Sequence, residues 1–109
     1  MHELGITQSI VDACNEEAGG ARVARVTVEV GCLSGVLPEA MRFCYELCAE
    51  GTALAGSELD IRLTPALATC RDCGNEMPAR DYLSMCGCGS ANLAFAGGDE
   101  LRIKEMEMA

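Results

Sequence analysis

The sequence has no tryptophan, two phenylalanines and two tyrosines, so it lacks a platform on which successive bases could stack. Basic residues are scarce as well. Eight Lys and Arg against 17 Asp and Glu give a formal net charge of -9. Without a basic run to follow a phosphate backbone or an anionic lipid surface, neither nucleic acid nor membrane is expected as a partner. The longest apolar runs are a few residues, too short to span a bilayer. His2 is the one histidine, so no Ser-His-Asp or Cys-His constellation assembles, and the chain is not expected to be an enzyme. No GxxxxGKS/T phosphate loop occurs. Met1-His2-Glu3 is polar, and no apolar core with a small-residue cleavage site follows it, so no signal peptide is expected.

Cysteine, by contrast, is abundant: eight in 109 residues. Such a count fits either a secreted disulfide scaffold or an intracellular metal protein. Without an expected signal peptide the second is favoured, because cytosol keeps thiols reduced and free to bind metal. The expected compartment is the cytoplasm.

Periodicity divides the chain into elements. Residues 3–18 read as a helix, with Ile6, Ile10, Ala13 and Cys14 at three- and four-residue spacing, Leu4 and Val11 beside them, and Gly19-Gly20 as the stop. Residues 23–30 read as a strand, Val26, Val28 and Val30 facing a core and Arg25, Thr27 and Glu29 facing water. Pro38 opens a second helix, whose stripe is Met41, Cys44, Tyr45 and Cys48 and whose cap is Gly51. Leu59, Ile61 and Leu63 alternate through a second strand that ends at Pro65. After a cysteine-rich stretch and Gly97-Gly98, Leu101 and Ile103 begin a third strand. Its alternation slips at Glu105 to Met108, which predicts a bulge or fraying there. The expected fold is α+β: two helices packed on a three-stranded sheet, with a zinc-ribbon-like subdomain inserted between strands two and three. The expected division is 1–66 with 97–109 as an α/β domain and 67–96 as the insert.

Four cysteines give the insert its chemistry. Cys70 and Cys73 form a CxxC followed by Gly74, and Cys86 and Cys88 form a CxC followed by Gly89. Four thiolates can close a tetrahedral zinc site, with Zn–S near ~2.3 Å and no open position, which makes it structural rather than catalytic. A segment of this size does not fold alone without a staple, so zinc binding, worth roughly 10–16 kcal/mol in small zinc peptides, would be its folding energy. Two disulfides, four free thiols or iron in the same cage are the competing uses of these residues. The CxC is tighter than the usual CxxC.

The amino terminus offers a second chemistry. A histidine at position two presents the terminal amine, its own backbone amide and its imidazole Nδ1 in fused chelate rings. Planar nitrogen ligation of this kind suits Ni(II) or Cu(II). Glu3 could add its amide or carboxylate. Against this stands the ordinary fate of a terminal histidine, which is to be solvated and idle.

Taken together, Met1-His2-Glu3-Leu4-Gly5-Ile6, the Val-rich strand, the CxxCG pair, Cys88-Gly89-Ser90 and the closing Gly98-Asp99-Glu100-Leu101 resemble the HypA/HybF family of hydrogenase-maturation nickel metallochaperones along essentially the whole chain. The resemblance implies nickel binding at Met1, His2 and Glu3, and structural zinc at Cys70, Cys73, Cys86 and Cys88. The 1–66 with 97–109 segment would then be the nickel domain. It further implies delivery of Ni(II), together with the GTPase HypB, to the precursor of the [NiFe]-hydrogenase large subunit, and in some relatives supply to urease. A homodimer is conceivable, with Gly97-Gly98 as a hinge for strand exchange.

Two rival readings use the same residues: a zinc-ribbon protein-interaction adaptor with no nickel role, and a small dithiol or rubredoxin-like redox protein built on the CxxC. The other cysteines, Cys14, Cys32, Cys44 and Cys48, read as core thiols. Asp99, Glu100, Glu105 and Glu107 read as a solvated acidic face.

Overall fold

The computed structural model describes the backbone of residues 2–109 and the side chains of residues 3–109. Helices α1 (His2–Ala18) and α2 (Pro38–Ala49) and strands β1 (Val23–Gly31), β2 (Glu58–Thr64), β3 (Ala66–Cys70), β4 (Glu76–Ala79), β5 (Leu93–Ala96) and β6 (Leu101–Met108) follow one another as α1-β1-α2-β2-β3-β4-β5-β6. The chain divides into two compact units. Met1–Glu29, Val36–Arg62 and Arg102–Ala109 form the first, and Val30–Gly35 with Leu63–Leu101 form the second. Among the described residues no helix is long and apolar enough to cross a membrane.

In the first unit α1 packs on α2. The buried face of α1 is Glu3, Thr7, Ile10, Val11, Cys14 and Ala18. This differs from the stripe read in the sequence: Leu4 is 45% exposed and Ala13 lies in water, while Thr7 is fully buried. The stripe turns because its polar members are satisfied inside. The Thr7 hydroxyl donates to the Glu3 carbonyl one turn back, and the Glu3 carboxylate accepts the Leu37 N–H at 3.2 Å. On α2, Met41, Cys44, Tyr45 and Ala49 are buried, and the Tyr45 hydroxyl meets Ser57 Oγ at 2.5 Å.

The first sheet has the order β2-β1-β6. Arg25 binds Glu58 and Thr27 binds Asp60 with one constant offset, so β1 and β2 run parallel across the α2 crossover. Glu29 with Arg102, Gly31 with Glu100 and Arg22 with Ala109 fall in one antiparallel register, so β6 runs against β1. The sheet is therefore mixed, and β1 is its centre. Thr27, read as a wet position, is 1% exposed. A central strand has neighbours on both sides, and its polar face is roofed by their long side chains. The third strand of the sequence reading is β6. It runs unbroken to Met108 rather than fraying, held at its end by the Ala109 N–H on the Arg22 carbonyl at 3.0 Å.

The second unit holds a three-stranded antiparallel sheet of its own, β4-β3-β5. Ala68 faces Met77 on one side and Phe95 on the other. Sequence periodicity missed these strands because the inward residues of β3 are Ala66, Ala68 and Cys70, small groups that barely raise local hydropathy, whereas Leu67 points to solvent. The core behind the strands is Ala68, Cys70, Ala79, Cys86 and Leu93, with Met77 and Phe95 packed on it. Residues 31–35 belong here through backbone bonds: Cys32 N–H to Thr64 O at 2.8 Å and Leu33 N–H to Gly98 O at 2.6 Å. Only glycine fits at Gly31, where a Cβ would lie 2.1 Å from the Gly98 carbonyl oxygen.

Candidate metal centre

Cys70 ends β3, and the next residues turn back so tightly that the Gly74 N–H reaches the Cys70 carbonyl at 2.8 Å while the Cys70 N–H binds Asn75 O at 2.8 Å. The second pair repeats the device on a different framework: Gly89 N–H to Cys86 O at 2.9 Å and Cys86 N–H to Ser90 O at 2.9 Å. Gly74 and Gly89 sit at φ 78° and 92°, the left-handed region expected of the residue that follows each pair.

The two turns bring Cys70, Cys73, Cys86 and Cys88 together, with all four sulfurs within 4.8 Å of one another. Cys70 Sγ lies 3.7 Å from Cys88 Sγ, and Cys73 Sγ lies 3.5 Å from Cys86 Sγ. A regular tetrahedron of thiolates around zinc has edges of about 3.8 Å, so the four-thiol set could hold that ion with little movement. The CxC pair reaches the same cluster as the CxxC pair. Cys70 and Cys86 are buried and join the core, whereas Cys73 and Cys88 are exposed.

The backbone prepares the cluster for charge. The amides of Cys73 and Asp72 bond the Cys70 sulfur and hold its thiol down to about 6, against the opposing effect of burial. The Asn75 amide favours a thiolate at Cys73 in the same way, but the crowding of Cys86 and Cys70 outweighs it, and that thiol is pushed up to about 12. Cys88, despite the Ser90 amide, is also raised, chiefly by Cys86. Four neighbouring thiols cannot all ionise unaided, and a divalent cation held among them would resolve the conflict by favouring their thiolates. Around them the Asp72 carboxylate accepts the Ser90 hydroxyl, Ser90 Oγ accepts the Asn92 N–H at 3.0 Å, and Arg71 donates to Asn92 Oδ1 at 3.3 Å. This net ties the first knuckle to the second.

At the other predicted site, Met1 lies outside the described residues, as does the side chain of His2. Glu3 is described: it is buried on the first turn of α1, with its carboxylate on the Leu37 amide. That role for Glu3 carried no signal in the sequence, because the acceptor and donor are 34 residues apart. Of the remaining cysteines, Cys14 and Cys44 are buried and Cys32 and Cys48 half-buried. Burial pushes the Cys14 thiol up, in keeping with a core role. Among the described residues no second group of three or more Cys, His, Asp or Glu converges.

A family model described as hydrogenase/urease nickel incorporation, metallochaperone, hypA, matches residues 1–108. The hydrogenase maturation factor HypA of Nostoc sp. is 48% identical over 108 residues, covering 99% of this chain and 96% of that one. The HypA of Geobacter metallireducens is 47% identical over 109 residues, covering 99% of both. Among solved structures, the solution structure of the Ni metallochaperone HypA from Helicobacter pylori superposes with a TM-score of 0.63 at 25% identity, over 97% of this chain and 96% of that one. A second solution structure of a HypA protein gives 0.66 at 27% identity, over 100% and 97%. With the family model matched from end to end and close relatives matched over nearly their full length, the chain belongs to the HypA family of nickel-incorporation metallochaperones.

Proposed function

We propose that this chain binds Ni(II) at its amino terminus and hands it to the [NiFe]-hydrogenase large-subunit precursor, while a structural zinc ion at Cys70, Cys73, Cys86 and Cys88 folds its second unit. The family match across residues 1–108 carries this reading. The four-thiol cluster supports a division of labour. A site that spends all four coordination positions on protein thiolates retains its metal. A cargo ion needs a site with fewer protein ligands and a path to a partner.

The nickel ligands in this reading are Met1, through its terminal amine, and His2, through its backbone amide and imidazole, a donor set suited to planar Ni(II). Glu3 contributes through its backbone amide, because its carboxylate already accepts the Leu37 N–H. The GTPase HypB is the partner in transfer, urease maturation proteins are a further recipient, and the work is done in the cytoplasm without a catalytic step by this chain. Residues 1–66 with 97–109 serve nickel, and 67–96 serve zinc.

The test is nickel titration of tag-free protein with an intact terminus, beside His2→Ala and an acetylated form, with zinc assayed in all three. Tight nickel binding by the native terminus alone, at constant zinc, supports the reading. Equal nickel binding in all three removes the terminus from the site. A zinc-dependent adaptor without nickel chemistry is the second reading. The exposed Tyr82, Leu83 and Met85 on the zinc-bearing unit favour it, and it predicts that none of the three forms binds nickel tightly.

A further inference from the structure

Charge is not spread evenly over the first unit. Arg25, Arg62 and Arg102 stand on the sheet and pair there with Glu58, Asp60 and Glu29. The two helices hold a single Lys or Arg between them, Arg42, and it is engaged: its Nη1 donates to the Leu59 carbonyl at 2.8 Å. Asp12, Glu16 and Glu17 of α1 and Glu39 and Glu46 of α2 are exposed, with Glu50 just past the end of α2. The helical layer is therefore acidic.

The same layer carries large apolar side chains in water. Leu4 is 45% exposed, Leu37 64%, Phe43 67% and Leu47 53%. Phe43 and Leu47 are four apart and share one face of α2. The two helices run side by side in the same direction. At their first turns the Leu37 N–H reaches the Glu3 carboxylate, and at their far ends Asn15 Oδ1 accepts the Ala53 N–H at 2.9 Å. Partial burial, then Cys44 and then Asp12, push up the Cys48 thiol, which places Asp12 beside the seam between the helices. Helical spacing sets Leu4 and Gln8 in the same row as Asp12, and Gln8 Nε2 donates to Asp12 Oδ1 at 2.8 Å. On α2, Arg42 marks the flank toward β2, so Leu47, across the axis from it, leans to the seam.

These positions describe an apolar groove with acidic rims. Leu4 and Leu37 stand at one end, Phe43 and Leu47 run along it, and the half-buried Cys48 lies below. Glu39 and Glu46 fall within about 60° of Phe43 around α2 at 3.6 residues per turn. Asp12 and Glu16 line the α1 side. Grouped apolar side chains rimmed by polar ones mark a binding surface, and here the rims select the occupant. An anionic lipid surface is repelled by them. A second copy of this chain has no basic helix to offer. A helix with an apolar stripe flanked by Lys and Arg satisfies both features, its anchors filling the groove and its cations meeting the carboxylates.

We propose that the seam between α1 and α2 is a docking groove for a basic amphipathic helix of another protein, seated on Phe43 and Leu47 between the two acidic rims.

The test titrates the zinc-loaded full chain into a fluorescent helical peptide of Leu and Lys in amphipathic order. A Leu/Glu peptide of the same order and a scrambled Leu/Lys peptide are the controls, and thermal melts confirm that each variant folds. The ordered Leu/Lys peptide is expected to bind saturably, one per chain, and to shift the amide resonances of α1 and α2, while both controls bind far more weakly. Phe43→Ser and Leu47→Ser leave the charge unchanged and should each weaken binding on the order of tenfold or more. Glu46→Lys should weaken it more than Glu76→Lys, the same change of net charge on exposed β4. Equal binding of the scrambled peptide, indifference to Phe43→Ser and Leu47→Ser, or equal effects of Glu46→Lys and Glu76→Lys reduce the attraction to net charge and overturn the proposal. So does Phe43-dependent binding to vesicles of phosphatidylcholine and phosphatidylglycerol, which assigns the stripe to a membrane, or Phe43-dependent self-association in sedimentation, which assigns it to a second copy.

Discussion

The second unit and the start of α1 solve opposite problems with similar means. Around Cys70, Cys73, Cys86 and Cys88 every backbone turn, glycine and amide serves to bring four sulfurs within 4.8 Å. At the start of α1 the structure instead removes a carboxylate from availability, by burying Glu3 on the Leu37 amide. One region gathers donors until none is left over for exchange. The other keeps a side chain occupied with folding. The contrast teaches that a group already paired with a backbone amide serves the fold, whereas four thiols left only to one another make a site that a metal could complete.

The largest way to break the comparison is to remove one sulfur. Cys70→Ser or Cys86→Ala takes a buried ligand out of the cage and should cost most of the zinc-linked folding energy, on the order of 10 kcal/mol. The expected outcome is loss of zinc and collapse of amide dispersion for residues 66–96 in an NMR spectrum, with resonances of α1 and α2 retained. Retained dispersion in a zinc-free variant would show that the small core of Ala68, Ala79 and Leu93 folds unaided. Chelation of zinc from the native chain should reproduce the same spectrum.

Acid provides a graded version. The Cys70 thiol is held down to about 6 from an ordinary 9.0. A depressed value stabilises the metal-free fold above the unfolded value and loses that contribution as pH falls through the folded one. In the zinc-free chain the unit is unfolded and the Cys70 thiol returns to its ordinary 9.0, so between pH 5 and 8 every zinc ion displaces protons from all four cysteines as it folds the unit. Apparent zinc affinity, measured by chelator competition over that range, should therefore fall steeply and evenly as pH drops. A decline that steepens only below about pH 6 would show instead a metal-free unit that is already folded, with Cys70 prepared by the Cys73 and Asp72 amides.

Glu3 sharpens the other side. Glu3→Ala leaves the Leu37 amide without its acceptor and should cost about 1–3 kcal/mol of stability in the first unit. Glu3→Gln keeps an acceptor oxygen and should cost less. Neither change should alter zinc content. A denaturant melt followed by helix signal measures both, and equal losses in the two variants would show that the hydrogen bond is not what holds Glu3.

The same contrast explains what was legible in the sequence. The two helices, β1, β2 and the start of β6 show because their apolar residues are large and periodic. The cage shows because cysteines at tight spacing followed by glycine have few other uses. The strands β3 to β5 do not show, since Ala66, Ala68 and Cys70 bury faces that carry almost no hydropathy. The turn of the α1 stripe toward Glu3 and Thr7 is hidden for a different reason. Polar residues can be buried only where a partner accepts or donates, and Leu37, which serves Glu3, is remote in sequence. Thr27 is hidden likewise, since its burial depends on being in the central strand.

The smallest expected effect tests how far the cage extends beyond its ligands. Ser90 accepts from the Asn92 amide and donates to Asp72, so a single hydroxyl links the two knuckles. The site is exposed, and Ser90→Ala should cost only about 1 kcal/mol. Its effect on the metal should be kinetic rather than structural. Zinc stoichiometry stays at the native level, and transfer of zinc to an external chelator quickens because Cys86-Gly87-Cys88 is less firmly tied to Cys70-Arg71-Asp72-Cys73. Unchanged transfer would confine retention to the four sulfurs and their amides. Faster transfer would mean that the cage holds its ion through the loop that carries Ser90 as well.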